Sequence, residues 1–469
     1  MNKSARLDRK FVWHPFTQMR DWLKRGPIVI ASGRGALLRD IRGRQYIDAN
    51  SSIWTNLHGH RNSKINAAIS KQLNKISHSS ALGLANEPAG LLAERLVKIA
   101  SSKSATQTPA LSKVFLSDDG STAVEVALKL AYEFSRRTKK IKQPKFLSLD
   151  QAYHGDTVGA VSLGHIDRFH KNFSGLLFKS AKVMAPYCYR CPFNRAKPER
   201  DDARNYRKCH WECAGLLEKK FSAQKKTGNP FAAFVFEPLL QGAAGMIPQP
   251  ETWLQRAAEI ARSQGALLIA DEVMTGFGRT GKLFACQNEK VQPDFLCLAK
   301  GLTGGYLPMA ATLTTQEVFD AFLGEYEEFK AFFHGHSFSG NQLGAAAALA
   351  SLEILQTKKS VRQRAQLKKN LHAELQSLWS LPNVGDIRQV GLVAGIELVK
   401  NWRTREPFAL RERAGIRVCE AMAKHGVLTR PVGNVIVLMP PYCTTAAQTR
   451  KMIRAIVDSV REVFGNLKT

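Results

Sequence analysis

Lys300 stands between an apolar run, Phe295-Leu-Cys-Leu-Ala299, and a glycine-rich turn, Gly301-Leu-Thr-Gly304-Gly305. Upstream, a second apolar run, Ala266-Leu-Leu-Ile-Ala270, ends in Asp271 and Glu272. A lysine leaving a buried strand can be desolvated, which lowers its pKa and frees its amine to form a Schiff base. An acid at the end of a neighbouring strand can hold a pyridinium nitrogen protonated, as a pyridoxal-type cofactor requires.

Two segments could cradle a phosphate. Ser117-Asp-Asp-Gly120-Ser121-Thr122 follows a strand and opens a helix whose buried face carries Val124, Leu128 and Ala131. Gly120 permits close backbone approach, and the free N–H groups and positive dipole end there suit an anion. Thr122-x-x-Glu125 fits a capping box. His334-Gly335-His336-Ser337-Phe338-Ser339-Gly340 places a hydroxyl between glycines at another helix start. Simple helix capping would use the same residues in both places. Tyr153, in Gln151-Ala-Tyr153-His154-Gly155, could stack on a flat heteroaromatic ring. The plainer alternative is a packed Tyr153 beside an exposed His154.

These residues need a sheet to present them. Strand-like runs are Val114–Leu116, Phe146–Leu149, Val183–Ala185, Ala233–Phe236, Leu267–Ala270 and Phe295–Leu298, and helical patterns separate most of them. That alternation predicts an α/β domain with a largely parallel sheet, in which ligands gather beyond the carboxyl ends of the strands. Ala36–Asp48 predicts a hairpin turning at Arg42-Gly43. An alanine-rich helix from Gly340 leads into short strands at Val393–Leu398 and Val435–Met439, the pattern of a small α+β domain. The division expected is an N-terminal arm and small-domain segment over 1–59, a large cofactor-binding domain over 60–339, and a linker helix with the C-terminal small domain over 340–469.

A chain of 469 residues, 44% hydrophobic and 23% charged, can bury a sizeable core. No apolar stretch approaches the roughly 20 residues of a membrane span. Met1–Lys10 is basic and lacks an apolar centre, which argues against a secretory signal. The net charge of +29 would suit nucleic acid, but lysine and arginine are dispersed and no nucleic-acid motif accompanies them. Neither nucleic acid nor membrane is expected as a partner. Of eight cysteines, four are solitary, which fits a reducing cytoplasm. The others form Cys188-x2-Cys191-x17-Cys209-x3-Cys213, nearly a zinc spacing with His210 to spare. The charged, turn-poor residues between them favour reduced thiols on a polar surface insertion, so no metal is assigned to the site.

Asp271-Glu272-Val-Met-Thr-Gly276-Phe-Gly278-Arg279-Thr-Gly281, followed by Leu298-Ala-Lys300-Gly301-Leu302, resembles the signature of class III aminotransferases of pyridoxal-phosphate fold type I. The likeness runs over essentially the full chain. It implies pyridoxal 5'-phosphate as cofactor, a mostly parallel sheet of the seven-stranded type, and a homodimer with shared active sites. Trp13-His14-Pro15-Phe16-Thr17, Ser51-Ser52-Ile53-Trp54, His58-Gly59-His60, Arg430-Pro431 and Leu438-Met439-Pro440-Pro441-Tyr442 resemble one branch of that family. Its members transfer an amino group to 8-amino-7-oxononanoate, giving 7,8-diaminononanoate for biotin. An ω-amino-acid transaminase or an aminomutase is the alternative.

By resemblance, Lys300 is the Schiff-base lysine and Asp271 the pyridine-nitrogen partner. Gly120 and Ser121 resemble phosphate ligands, Ser337 the hydroxyl given by the other subunit, and Tyr153 the ring-stacking aromatic. Trp54, Arg279, Gly335 and Arg430 resemble substrate-pocket residues, with an arginine fork for the substrate carboxylate. Phe16 stands where many members have tyrosine. Met274 stands where more distant members place a glutamine. Ile53 and His336-Ser337 depart from the enzymes that use S-adenosylmethionine and look more like the branch that takes its amino group from lysine, so both donors stay open.

Overall fold

The computed structural model describes residues 2–101 and 110–465. Its larger sheet has seven strands: β1 (Leu111–Ser117), β2 (Lys145–Leu149), β3 (Ala181–Val183), β4 (Phe231–Phe236), β5 (Leu267–Asp271), β6 (Phe295–Leu298) and β7 (Ala310–Thr315). They lie in the order β1-β7-β6-β5-β4-β2-β3. β7 runs antiparallel to both neighbours, and the other pairings in this sheet are parallel.

The central strands are continuous apolar runs because both faces of the sheet are covered. Alternate side chains go to opposite faces. Phe234, Phe236, Leu268, Ala270, Leu296 and Leu298 join one buried cluster, with Leu92, Leu96 and Trp253. Ala233, Val235, Leu267, Ile269, Phe295 and Cys297 join another, with Ala123, Val124 and Ala127 of α1 (Gly120–Lys139).

Three local details differ from the sequence expectation. β7 is absent from the apolar runs because it reads Ala-Ala-Thr-Leu-Thr-Thr, with a single large apolar residue. Its buried Thr312 and Thr314 instead donate to the carbonyls of Ala123 (2.8 Å) and Asp294 (3.1 Å). β3 begins two residues earlier than the run Val183–Ala185. The cap of α1 is Asp119, not Thr122. Thr122 N donates to Asp119 Oδ1, and Asp119 N donates to Thr122 Oγ1, each at 3.0 Å. Glu125 is thereby free to accept the N–H of Gly159 (2.7 Å) at the start of the helix Val158–Leu163.

A second sheet is built on Val384–Val390, Val393–Asn401 and Val435–Leu438. Helices Lys358–Leu375, Ala414–Lys424 and Ala446–Phe464 pack on it through Leu371, Val418, Met422, Met452 and Ile456. The hairpin Leu37–Asp40 with Gln45–Asp48 turns at Gly43, whose φ of +84° suits glycine. Its strand Gln45–Asp48 pairs in parallel with Val427–Leu428, tying the N-terminal segment to the C-terminal one. Helix α2 (Gln342–Gln356), capped by Asn341, joins the two sheets along the chain. Among the described residues, no helix is long and apolar enough to cross a membrane.

Candidate active site

Neighbouring strands deliver the site residues at their carboxyl ends. Asp271 is the last residue of β5, Lys300 lies two residues beyond β6, and Glu237 directly follows β4. They face one cavity of about 450 Å³ with Gly120, Ser121, Tyr153 and Trp54 in its wall. That volume is in the range of small-molecule and cofactor sites.

Lys300 opens a short 3-10 turn with φ +42°, a left-handed conformation uncommon outside glycine. Its Nζ stands 5.0 Å from the centre of the Trp54 ring. Burial lowers its pKa, while Asp271, Glu237 and Asp156 pull the other way without cancelling the shift. The outcome is an amine easier to deprotonate than a free lysine.

Asp271 is fixed from two sides. Its Oδ2 accepts from His154 Nδ1 at 2.8 Å, and its Oδ1 accepts the N–H of Val273 at 3.1 Å. His154 is buried, not exposed. Burial works to lower the His154 pKa, but the bond to Asp271 outweighs it and the value is raised. Behind this pair lies Glu237, which accepts the N–H of Gly242 at 2.8 Å. Burial raises its carboxyl to about 7 against the opposing pull of His154. His154 and Glu237 extend the set read from sequence. Glu237 carries the same signal that singled out Asp271, an acid at the end of an apolar strand.

The cradle at the start of α1 fits a phosphate. Ser121 Oγ accepts the N–H of Asp156 at 3.0 Å, which orients its hydroxyl hydrogen elsewhere. A Cβ on Gly155 would fall 2.2 Å from Ser121 Oγ, and one on Gly120 would fall 2.6 Å from Val273 Cγ1. Both glycines thus keep backbone and hydroxyl close. Asp119 is committed to the cap and Asp118 to His336 (2.9 Å), so neither carboxylate is left unpaired beside the anion site. Beside this cradle Tyr153 is half-buried, donates to Asp156 Oδ2 at 2.6 Å, and is flanked by the His170 ring at 6.2 Å. Asp271, Lys300 and this cradle line one cavity, and their side chains and N–H groups supply the acid, amine and anion donors that a pyridine ring, its aldehyde and its phosphate require.

Trp54 reaches the cavity from a strained turn. Ser51, Ser52, Ile53 and Trp54 have φ of +48°, +48°, +62° and +71°. Four successive left-handed residues cost several kcal/mol, so other bonds must over-determine them. Ser51 Oγ donates to the Met439 carbonyl (2.6 Å), and Ser52 gives both its N–H and its hydroxyl to Asp48 (2.9 Å each).

Four expected residues stand elsewhere. Arg279 is fully buried outside the cavity wall, donating to the carbonyls of Pro440 (2.8 Å) and Asn56 (3.2 Å). Its Nη1 and Nη2 serve these backbone carbonyls, while Nε has no partner among the described residues. Gly335 and Ser337 are exposed and not in the cavity wall of this chain. Arg430 is also exposed and donates to the Phe16 carbonyl at 3.2 Å. Phe16 meets the Tyr153 ring edge-on at 6.3 Å, so Arg430 flanks the Tyr153 side of the site.

The model of the aminotransferase class-III family matches residues 20–460. The adenosylmethionine-8-amino-7-oxononanoate aminotransferase of Geobacter sulfurreducens is 46% identical, over 98% of this chain and 97% of its own. The crystal structure of the enzyme of that name from Methanocaldococcus jannaschii superposes with a TM-score of 0.88 at 41% identity, covering 98% of each chain. An ω-transaminase from Pseudomonas jessenii, solved in complex with PMP, also gives 0.88, at 29% identity over 99% of each chain. The chain belongs to the class III aminotransferases, enzymes that depend on pyridoxal 5'-phosphate.

Proposed function

We propose that this enzyme transfers an amino group to 8-amino-7-oxononanoate, giving 7,8-diaminononanoate in biotin synthesis. The observation that carries the proposal is the convergence of Lys300 and Asp271 on one cavity, in a chain 46% identical to a relative named for that reaction. Pyridoxal phosphate, when bound, supplies an aldehyde that takes up the amino group and a ring that accepts electrons from the substrate carbon.

The chain's own residues do the rest. Lys300 Nζ would anchor the cofactor and move a proton to and from the reacting carbon. Its lowered pKa keeps a share of the amine neutral for that task. Asp271, held by His154, keeps the ring nitrogen protonated. The N–H groups of Gly120 and Ser121, with the Ser121 hydroxyl, hold the phosphate at the end of a 20-residue helix. Tyr153 and Trp54 flank the ring and the substrate chain and exclude water. Arg430, beside Phe16, receives the substrate carboxylate.

The oligomer proposed is a homodimer in which Ser337 and Gly335 complete the partner's site. Its support is the apolar exposure around them: Phe333 is 74% exposed, Phe338 60%, Leu82 91% and Leu84 62%. The free cysteines Cys286, Cys297, Cys419 and Cys443 fit a cytoplasmic enzyme. The three-part division of the chain at 59/60 and 339/340 is proposed on the same footing.

The relatives' names favour S-adenosylmethionine as donor, whereas Ile53 and His336-Ser337 favour lysine. Purified enzyme given 8-amino-7-oxononanoate and either donor should yield 7,8-diaminononanoate with one of them, read by mass spectrometry. Failure with both, alongside turnover of simple ω-amines, would move the chain to the ω-transaminase branch.

A further inference from the structure

Residues 186–213 lead from β3 into the helix Glu212–Lys225 and contribute nothing to the reaction site. Their four cysteines nevertheless converge. Cys188 lies in the 3-10 turn Cys188–Arg190, Cys191 ends that turn, and Cys213 occupies the first turn of the helix. With Cys209 they line one small cavity of about 10 Å³, beside Arg207 and Trp211.

A cation and a helix N-terminus stand beside the sulfurs. The Asn194 N–H donates to the Cys191 carbonyl at 3.1 Å, closing the turn that carries this cysteine. Arg207 Nη1 donates to Cys209 Sγ at 3.0 Å. Cys213 sits at the positive end of a 14-residue helix. The fully buried Trp253 shares a core cluster with Cys213, and its indole nitrogen has no hydrogen-bond partner among the described residues.

We propose that Cys188, Cys191, Cys209 and Cys213 bind one structural zinc ion. The two pairs, with two and three intervening residues, have the spacing of a four-cysteine zinc site. The cavity is about one water-sized sphere, room for a single ion and not for an iron–sulfur cluster. No three side chains among the described residues already stand in ligating geometry, so the sulfurs ring the space without meeting at one point. Cys188 Sγ, for example, is turned to the Pro186 carbonyl at 4.0 Å. Rotation about χ1 to another staggered well moves a sulfur by roughly 3 Å, which brings it toward a zinc–sulfur distance of about 2.3 Å. Each thiol gives up its proton to solvent, and Arg207 offsets part of the resulting negative charge.

The ion would act as a rivet. The same loop clasps the second sheet: Arg190 Nε donates to Glu397 (2.7 Å), Arg200 Nη2 to the Leu381 carbonyl (2.7 Å), and Arg204 Nη2 to the Gln389 carbonyl (2.8 Å). Fixing the loop at its root fixes that clasp.

The test is metal content of the cofactor-loaded full chain, expressed with added zinc and dialysed without chelator. One zinc per chain is expected, lost in Cys191→Ser/Cys209→Ser and kept in Cys191→His, which preserves a four-ligand set. Should the serine variant not fold, mercurial titration of the wild type decides, with release of one zinc as four thiols react. A metal-free wild type, iron in place of zinc, a disulfide among the four, or zinc retained by a folded serine variant each overturns the proposal.

Discussion

His154 donates from Nδ1 to Asp271 Oδ2 at 2.8 Å, and both residues are buried at the end of β5. The bond fixes the carboxylate proposed to hold the cofactor's ring nitrogen, while His154 Nε2 has no partner among the described residues. Loss of the imidazole should let Asp271 swing. His154→Ala is expected to lower kcat by about 10–100-fold, the effect of misplacing a reacting group by about 1 Å. Cofactor should still bind, so absorbance and turnover measured on one preparation separate positioning from binding.

Gly155 has φ +127° and packs against Ser121. Gly155→Ala would push its Cβ into the Ser121 side chain, which shapes the phosphate cradle. Affinity for pyridoxal phosphate is expected to fall by tenfold or more, about 1.4 kcal/mol, read by equilibrium titration of the apoenzyme. An unchanged affinity would remove Ser121 from the cradle.

Asp119 caps α1 by accepting the Thr122 N–H at 3.0 Å. Asp119→Ala should cost about 1 kcal/mol of stability, the usual penalty for losing an N-cap. Denaturant unfolding measures it, and Asp119→Ser should recover most of the loss.

Glu237 titrates near 7, against 4.5 for an ordinary glutamate, and burial is the largest cause. Folded enzyme therefore holds a proton that the unfolded chain has released, and stability from this group falls as pH rises through that window. Glu237→Gln should flatten the decline between about pH 5 and pH 7 by about 1–3 kcal/mol. Unfolding midpoints across that range check it, and parallel pH profiles for both proteins would refute it.

The sheet and its principal acid–lysine pair are legible in sequence because buried parallel strands are long apolar runs and their ends carry the chemistry. The reversed strand β7 hides because its threonines satisfy their hydroxyls on carbonyls from α1 and the β5–β6 connection, contacts no local pattern encodes. His154 shows the same limit. Its place beside Tyr153 is visible, but its bond to Asp271 spans 117 positions. Arg279 sits within a strong motif yet serves carbonyls of two distant segments, which only the folded chain brings together.

The assignment of Lys300 as cofactor anchor is tested most directly by borohydride reduction of the loaded enzyme, followed by peptide mapping. The phosphopyridoxyl mass should appear on the peptide containing Lys300 and on no other. Lys300→Ala should show no label, no visible band from lysine-linked cofactor, and no formation of 7,8-diaminononanoate. Label on a different lysine, or turnover by Lys300→Ala, would contradict the account.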